Sequence, residues 1–369
     1  MAKKRVARRG NLDAKGIRRV GSKEKGFRYE TPDGKPVAGD ATLDRIRSLR
    51  IPPAWEDVRI APSSRAPLQA VGVDRKGRTQ YLYHPKFRIE REQEKFRRVV
   101  EFGEALPALR RRIRADLRKE GLERDRVLAA IVRLIDQGFF RVGNDKSAKS
   151  EETYGLTTVL SEHVAVNGSA VSFDYVGKWR KSHSRTVKDP DVAAIVRLLS
   201  KMNGKELFKY VQGDRILDVK DRHVNDYIQS IIGEDFTAKD FRTWAGTLLC
   251  SMALGQFHLR HGEATTKKER KRRVKTAIEL TSSQLGNTPA VCRSSYICPR
   301  LIDEYMDGNE MKASRKRLAG SPVARAGLSI EEKALLRFLR HTIADRRARE
   351  ERRRTRHGET DRRVKEPLN

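Results

Sequence analysis

The apolar side chains between residues 241 and 253 place the tightest limit on what this chain can become. Phe241, Trp244, Ala245, Leu248, Leu249, Met252 and Ala253 recur at i, i+3 and i+4, a spacing that gathers them on one face of an α-helix. Such a stripe has to be covered, so the chain needs a helical body with a real interior. Val127, Leu128, Ile131, Val132 and Ile135 repeat the pattern upstream, and Gly138 suits the end of that helix.

The period is different near the N-terminus. Val71-Gly72-Val73 and Gln80-Tyr81-Leu82-Tyr83 read as strands around the turn Asp74-Arg75-Lys76-Gly77. In such a strand Tyr81 and Tyr83 share one face and Gln80 takes the other. Pro32-Asp33-Gly34 is a turn signal, and Ile51-Pro52-Pro53 closes a short helix. From about residue 106 the pattern is mainly helical, with a β interlude. There Val164-Ala165-Val166, Asn167-Gly168 and Val171 to Val176 form a hairpin signal. A second turn near Gly177-Lys178-Trp179 leads to a strand ending near Val187, and helices resume at about 189. Ser329 and Glu332 make a capping box ahead of Leu335, Phe338, Leu339 and Ile343.

The fold class expected is therefore α+β. A small β-rich N-terminal domain over 29–105 precedes a mainly α-helical domain over 106–345 that carries a small β-hairpin sheet. Residues 1–28 hold eleven Lys and Arg against two acids and are expected to form a flexible basic arm. Residues 346–369, rich in Arg and poor in apolar groups, are expected to be a tail. Lys267 to Lys275, with seven basic residues and one acid, is expected to be exposed.

Charge narrows the class of partner. Lys and Arg number 80 against 49 Asp and Glu, a formal charge of +31. That excess opposes compaction unless a polyanion is the usual partner, and nucleic acid comes first because neutralised phosphates release counterions. A ribosomal-type basic protein or a membrane-surface binder fits the charge as well. No apolar run reaches the length of a membrane span, and the charged N-terminus lacks the apolar core of a signal peptide. Cys250, Cys292 and Cys298 are not spaced as a zinc site, which points to free thiols in a reducing cytoplasm. The acids do not cluster as an oxygen cage and the eight His are scattered, so no metal and no cofactor are expected.

Metal-free cleavage of a phosphodiester needs a nucleophile, cations on the nonbridging oxygens and an acid for the leaving oxygen. Arg suits the second role because it stays charged and grips two oxygens together. Lys suits the third, since desolvation or neighbouring cations lower its pKa. Tyr can be the nucleophile, but its hydroxyl, with a pKa of about 10, needs a positive site. The parts occur in order. Arg141 follows the helix stop in Gly138 to Asn144. Lys178 lies at a hairpin turn, and Arg242 lies near the start of the amphipathic helix, one residue off the buried stripe, where it can emerge at a groove. Tyr296 follows Asn287-Thr288-Pro289, with Pro289 suited to the first position of a helix and Asn287 or Thr288 to its cap. Composition and spacing alone do not pick these residues from so many Lys and Arg.

A resemblance does pick them. Over roughly residues 38–310 the chain resembles the poxvirus-type and bacterial type IB DNA topoisomerases. Val71 to His84 resembles the family's major-groove reading strand, and Phe139 to Asn144 the segment of its first catalytic arginine. Tyr175-Val176-Gly177-Lys178 resembles the hairpin of its catalytic lysine, and Lys239 to Thr243 its second arginine motif. Gly286 to Pro289 and Ser295-Tyr296 resemble its nucleophile segment. The resemblance implies catalytic roles for Tyr296, Arg141, Lys178, Arg242 and Asn287, and DNA contacts by Lys76, Arg78, Gln80, Tyr81 and Tyr83. The family usually has His where this chain has Asn287. The Asn side-chain NH₂ donates the same hydrogen bond to a phosphate oxygen but cannot carry charge.

The resemblance also implies a monomer that clamps double-stranded DNA between its two domains, in the cytoplasm and associated with the nucleoid. Strand cleavage would pass through a 3′-phosphotyrosine and would need neither ATP nor metal, so relaxation is expected in EDTA. Two other readings compete. A tyrosine recombinase or integrase shares the arginine–lysine–tyrosine chemistry but usually has a helical N-terminal domain, unlike the strand around Gln80-Tyr81. A non-catalytic basic nucleic-acid-binding protein would form no covalent adduct.

Overall fold

A computed structural model of the chain describes residues 9–145, 148, 151–309 and 323–341. The chain divides between Lys95 and Phe96 into two units. The smaller contains an antiparallel five-stranded sheet of order β2-β1-β3-β4-β5. Its strands are β1 (Ile17–Ser22), β2 (Gly26–Glu30), β3 (Glu56–Ile60), β4 (Leu68–Val73) and β5 (Thr79–Tyr83). Ile17, Val58, Ile60 and Ala70 pack with Ile46 of the short helix α2 (Asp40–Ser48). Leu12 of helix α1 (Arg9–Lys15) joins Ala61, Leu68 and Val71 in a second cluster.

The flexible arm expected over 1–28 is therefore ordered structure from Arg9 onward. Its basic residues are partly consumed inside the fold. Arg19 donates to the carbonyls of Pro52 at 3.2 Å and Trp55 at 2.5 Å, and its guanidinium lies 4.2 Å from the Phe27 ring centroid. A strand made of residues such as Arg18 and Arg19 reads as a solvated charge run until its backbone partners are known. Residues 1–8 and the tail over 346–369 lie outside the described residues.

Helical structure starts earlier than expected. Helix α3 runs from Pro85 to Leu117, so the tract read as β-rich to 105 ends at β5. Helix α4 (Arg124–Gly138) buries the expected stripe. Gly138 is still helical, and Phe139 takes the left-handed cap at φ 56. The three-stranded sheet has order β6-β7-β8, with β6 (Val164–Asn167), β7 (Ala170–Gly177) and β8 (Lys181–Lys188). Lys178–Arg180 make one 3₁₀ turn between β7 and β8.

Helix α5 (Pro190–Leu199) starts at Asp189, whose carboxylate accepts from the amides of Asp191 and Val192. The hairpin β9 (Lys209–Gln212) and β10 (Arg215–Asp218) precedes α6 (Asp221–Ile232) and the long α7 (Ala238–His261). Then come α8 (Lys267–Leu285), α9 (Pro289–Ser295), α10 (Pro299–Met306) and a last helix over 330–341. The basic tract 267–275 opens α8 rather than lying wholly in solvent. Arg273 and Val274 are buried, because Arg273 donates to the Gly262 carbonyl at 2.7 Å and to Glu269 at 2.6 Å.

The core of this unit is centred on α4 and α7. Trp244 is 1% exposed, and truncating such a side chain typically costs about 3–5 kcal/mol. Its indole N–H donates to Glu332 at 3.1 Å. Glu332 and Asp136 both bind the guanidinium of Arg110, each through two contacts of 2.8–2.9 Å. A fully paired buried triad thus joins α3, α4 and the last helix. Among the described residues no helix is long and apolar enough to cross a membrane.

Candidate active site

Two helix ends build the site. The C-terminal carbonyls of α4 and α8 carry partial negative charge that the helix cannot satisfy internally. Arg242 donates to the carbonyls of Phe139 and Leu285. Arg185 donates to those of Gly138 and Gln284. Arg141 donates to the Gly286 carbonyl at 3.2 Å. Three cations that would repel one another are thereby held together by two converging dipoles.

Helix α8 stops at Gly286, in the left-handed region at φ 64. The amide of Gly286 donates to Ser283 at 3.1 Å and that of Asn287 to Ser282 at 2.9 Å, the paired bonds of a Schellman cap. That cap fixes Asn287, whose Oδ1 accepts from Arg141. Arg has no acceptor, so the oxygen must face it and the NH₂ group points elsewhere. This Nδ2 is buried and has no hydrogen-bond partner. The chain turns at once into α9, with Thr288 as cap and Pro289 in the first turn, as the spacing predicts. Tyr296 ends α9, its amide bonded to Cys292 at 2.9 Å. Its ring centroid lies 4.9 Å from the Arg242 guanidinium carbon.

Arg141, Lys178, Arg242 and Tyr296 line one cleft of about 560 Å³ together with Asn144, Asn225, Thr237 and Lys239. Lys178 opens the exposed turn between β7 and β8. Backbone bonds stitch the walls: Leu156 N–H to Arg141 at 2.9 Å and Tyr154 N–H to Val176 at 2.8 Å.

Arg242 is more deeply buried than its place in the sequence suggests. It reaches the cleft but is only 4% exposed, because its head spans two carbonyls and only part of it faces the cleft. Burial, then the charge of Arg141, lowers its pKa to about 10, so it stays charged at neutral pH. His183 on β8, 3.5 Å from Arg141, is pushed down to about 4 by burial and then by Arg141, Arg185 and Arg242. Its ring is neutral at pH 7.

Of the five residues expected from the sequence, Asn287 pairs with Arg141 and Tyr296 packs on Arg242, and Lys178 lines the same cleft as Arg141, Arg242 and Tyr296; the sequence did not point to four neighbours of that site. Those neighbours are His183, Arg185, Asn225 and Lys239. A signal for two of them existed: His183, Arg185 and Val187 alternate along the strand that the sequence predicts, so they share its inward face.

The remaining expected residues lie in the smaller unit on the β4–β5 hairpin. Tyr81 and Tyr83 share a face, with ring centroids 6.2 Å apart. Asp74 accepts from Arg78 Nε at 2.9 Å and from Gln80 Nε2 at 2.8 Å, and the Lys76 amide donates to it at 2.9 Å. Two of the side chains expected on DNA are thus held by a carboxylate.

Residues 84–319 match the family model of the eukaryotic DNA topoisomerase I catalytic core. Residues 26–74 match that of the bacterial DNA topoisomerase IB N-terminal domain. The chain is 30% identical over 306 residues to DNA topoisomerase 1B of Acanthamoeba polyphaga mimivirus, covering 82% of this chain and 90% of the viral protein. It is 23% identical over 280 residues to DNA topoisomerase 1B of vaccinia virus, covering 74% and 85%. A shorter stretch of 121 residues is 28% identical to DNA topoisomerase 1 of Mycosarcoma maydis, covering 32% of this chain and 12% of the fungal protein.

Proposed function

We propose, from the premise that this chain belongs to the type IB DNA topoisomerase family, that its strand-cleaving centre is Tyr296 served by Arg141, Arg242, Asn287 and Lys178. The protein relaxes supercoiled DNA by breaking and rejoining one strand. Tyr296 Oη attacks the scissile phosphorus, and its proton leaves to solvent. Arg141 and Arg242 balance charge on the nonbridging oxygens, and the unpartnered NH₂ of Asn287 donates to one of them. The bond from phosphorus to O5′ breaks, and Lys178 gives that oxygen a proton.

One phosphodiester replaces another, so resealing by the O5′ hydroxyl needs no ATP, and with the arginines balancing charge and Lys178 supplying the proton the reaction calls for no metal. While the strand is open, the downstream duplex turns. The observation that carries this reading is the cationic cleft in which the Tyr296 ring sits 4.9 Å from Arg242, with Arg141 and Lys178 in the same walls. In the smaller unit, Lys76, Arg78, Gln80, Tyr81 and Tyr83 contact double-stranded DNA. The enzyme works as a monomer, in the cytoplasm and on nucleoid DNA.

Tyr296→Phe removes one oxygen and little else. Wild type should relax plasmid in EDTA and yield a trapped adduct whose phosphate is 3′-linked to residue 296; the variant should do neither. An adduct on another residue, a 5′ linkage, or a strict metal requirement would sink the assignment.

A further inference from the structure

We propose that His183 is a positioning residue that orients the Arg141 guanidinium for the scissile phosphate; this rests on the assignment of Arg141 to the reaction. Its Nε2 lies 3.5 Å from Arg141 Nη1. Arg donates only, so Nε2 carries no proton and Nδ1 does. The bond is long, and its contribution is direction rather than strength.

The ring is held on several sides. It stacks on Tyr175 with centroids 5.4 Å apart and planes at 25°. A Cβ at Gly177 would fall 2.4 Å from His183 Cδ2, and one at Gly286 would fall 2.6 Å from Cε1. Gly177 precedes Lys178, and Gly286 precedes Asn287. The imidazole therefore fills the space between the turn of the acid and the cap of the amide, and from there it faces the guanidinium. Arg141 has two other acceptors, the Gly286 carbonyl and Asn287 Oδ1, both engaged through Nη2. His183 is the contact on Nη1, so it fixes rotation of the guanidinium about its own axis. In a site crowded with Arg141, Arg185 and Arg242, an imidazole can accept only while it is neutral. Burial and those cations keep the ring neutral.

The test compares H183F, which fills the space without accepting, with H183Q, which accepts without filling it. Single-turnover cleavage of a saturating duplex is measured beside DNA affinity and melting temperature in the full chain. H183Q is expected within about fivefold of wild type and H183F slower by about a hundredfold, with affinity unchanged. Added to R141A, H183F should cause little further loss, because its partner is already gone. Equal losses for H183Q and H183F would overturn the proposal, as would full addition of the R141A and H183F defects, or a loss explained by weaker binding. If H183F does not fold, H183A takes its place against H183Q, and equal rates for those two overturn it. Cleavage by R141A at the wild-type rate would instead remove the assignment of Arg141 itself, an outcome separable from a dead R141A beside an unimpaired H183F.

Discussion

The side-chain oxygen of Asn287 accepts a hydrogen bond from the Arg141 guanidinium, so the first arginine and the amide act as one unit. The amide oxygen holds the cation and the NH₂ has no partner, which leaves it to donate to a phosphate oxygen in the proposed mechanism. Histidine at 287 can divide the labour in the same way when one ring nitrogen accepts and the other donates. Asn287→His is therefore expected to relax plasmid within about tenfold of wild type, or ~1.4 kcal/mol of barrier. Asn287→Leu keeps the bulk and loses both bonds, and should slow cleavage about a hundredfold or more. A timed relaxation assay checks both. A leucine variant as fast as wild type would separate Asn287 from the chemistry.

His183 also gives the fold a pH signature. Its folded pKa of about 4 lies below the ordinary 6.5, burial being the first cause and the cations Arg141, Arg185, Arg242 and Lys181 the rest. Above 6.5 the ring is neutral in both states and stability does not depend on it. As pH falls from 6.5 toward 4, the unfolded chain takes up a proton that the folded chain refuses, so stability drops. Below about 4 the two states again match. The ring is only partly buried, and solvent screening moderates the effect. Urea midpoints of wild type should fall more between about pH 7.5 and about pH 4.5 than those of H183Q. Parallel slopes would show that the ring titrates freely.

Glu332 is fully buried and accepts from four donor atoms: Nη1 and Nη2 of Arg110, the Trp244 indole nitrogen and, as the capping box, the Ser329 amide. Glu332→Gln keeps the shape but turns an NH₂ toward donors and leaves Arg110 short of one charge. Removing one partner of such a buried group typically costs about 3–5 kcal/mol. Chemical denaturation should show a loss of that size, while cleavage below the new melting point stays near wild type. A loss under about 1 kcal/mol would mean the triad is relieved by water or rearrangement.

The sequence disclosed periodic elements far better than it disclosed charge that is used internally. The stripes on α4 and α7 and the Ser329–Glu332 box are written in local spacing. So is the turn that presents Lys178. Arg19, Arg185 and Arg273 are not legible that way, because their partners are backbone carbonyls distant in sequence. They look like surface charge and act as helix and loop caps. The same blindness turned β1 into an expected arm. The five site residues were legible only through resemblance, since nothing local separates Arg141 or Arg242 from other arginines. What joins them is the meeting of two helix ends.

The β4–β5 hairpin separates affinity from preference. Asp74 holds Arg78 and Gln80 through its carboxylate, and in the proposed role their donors would exchange that partner for DNA. Gln80 Nε2 and its own carbonyl oxygen match the donor–acceptor edge of adenine in a major groove. Lys76, at the turn, has only a point charge to offer a phosphate. Lys76→Ala should therefore weaken binding uniformly across duplex sequences and reduce the slope of log affinity against log salt by about one. Gln80→Ala should leave that slope unchanged and flatten the difference between preferred and poor cleavage sites by about 1–3 kcal/mol. Titrations at several salt concentrations, with cleavage mapped on one mixed-sequence duplex, measure both. If Gln80→Ala changed the salt slope and not the cleavage pattern, the hairpin would be holding the backbone alone, because only a base contact can lose preference without losing counterions.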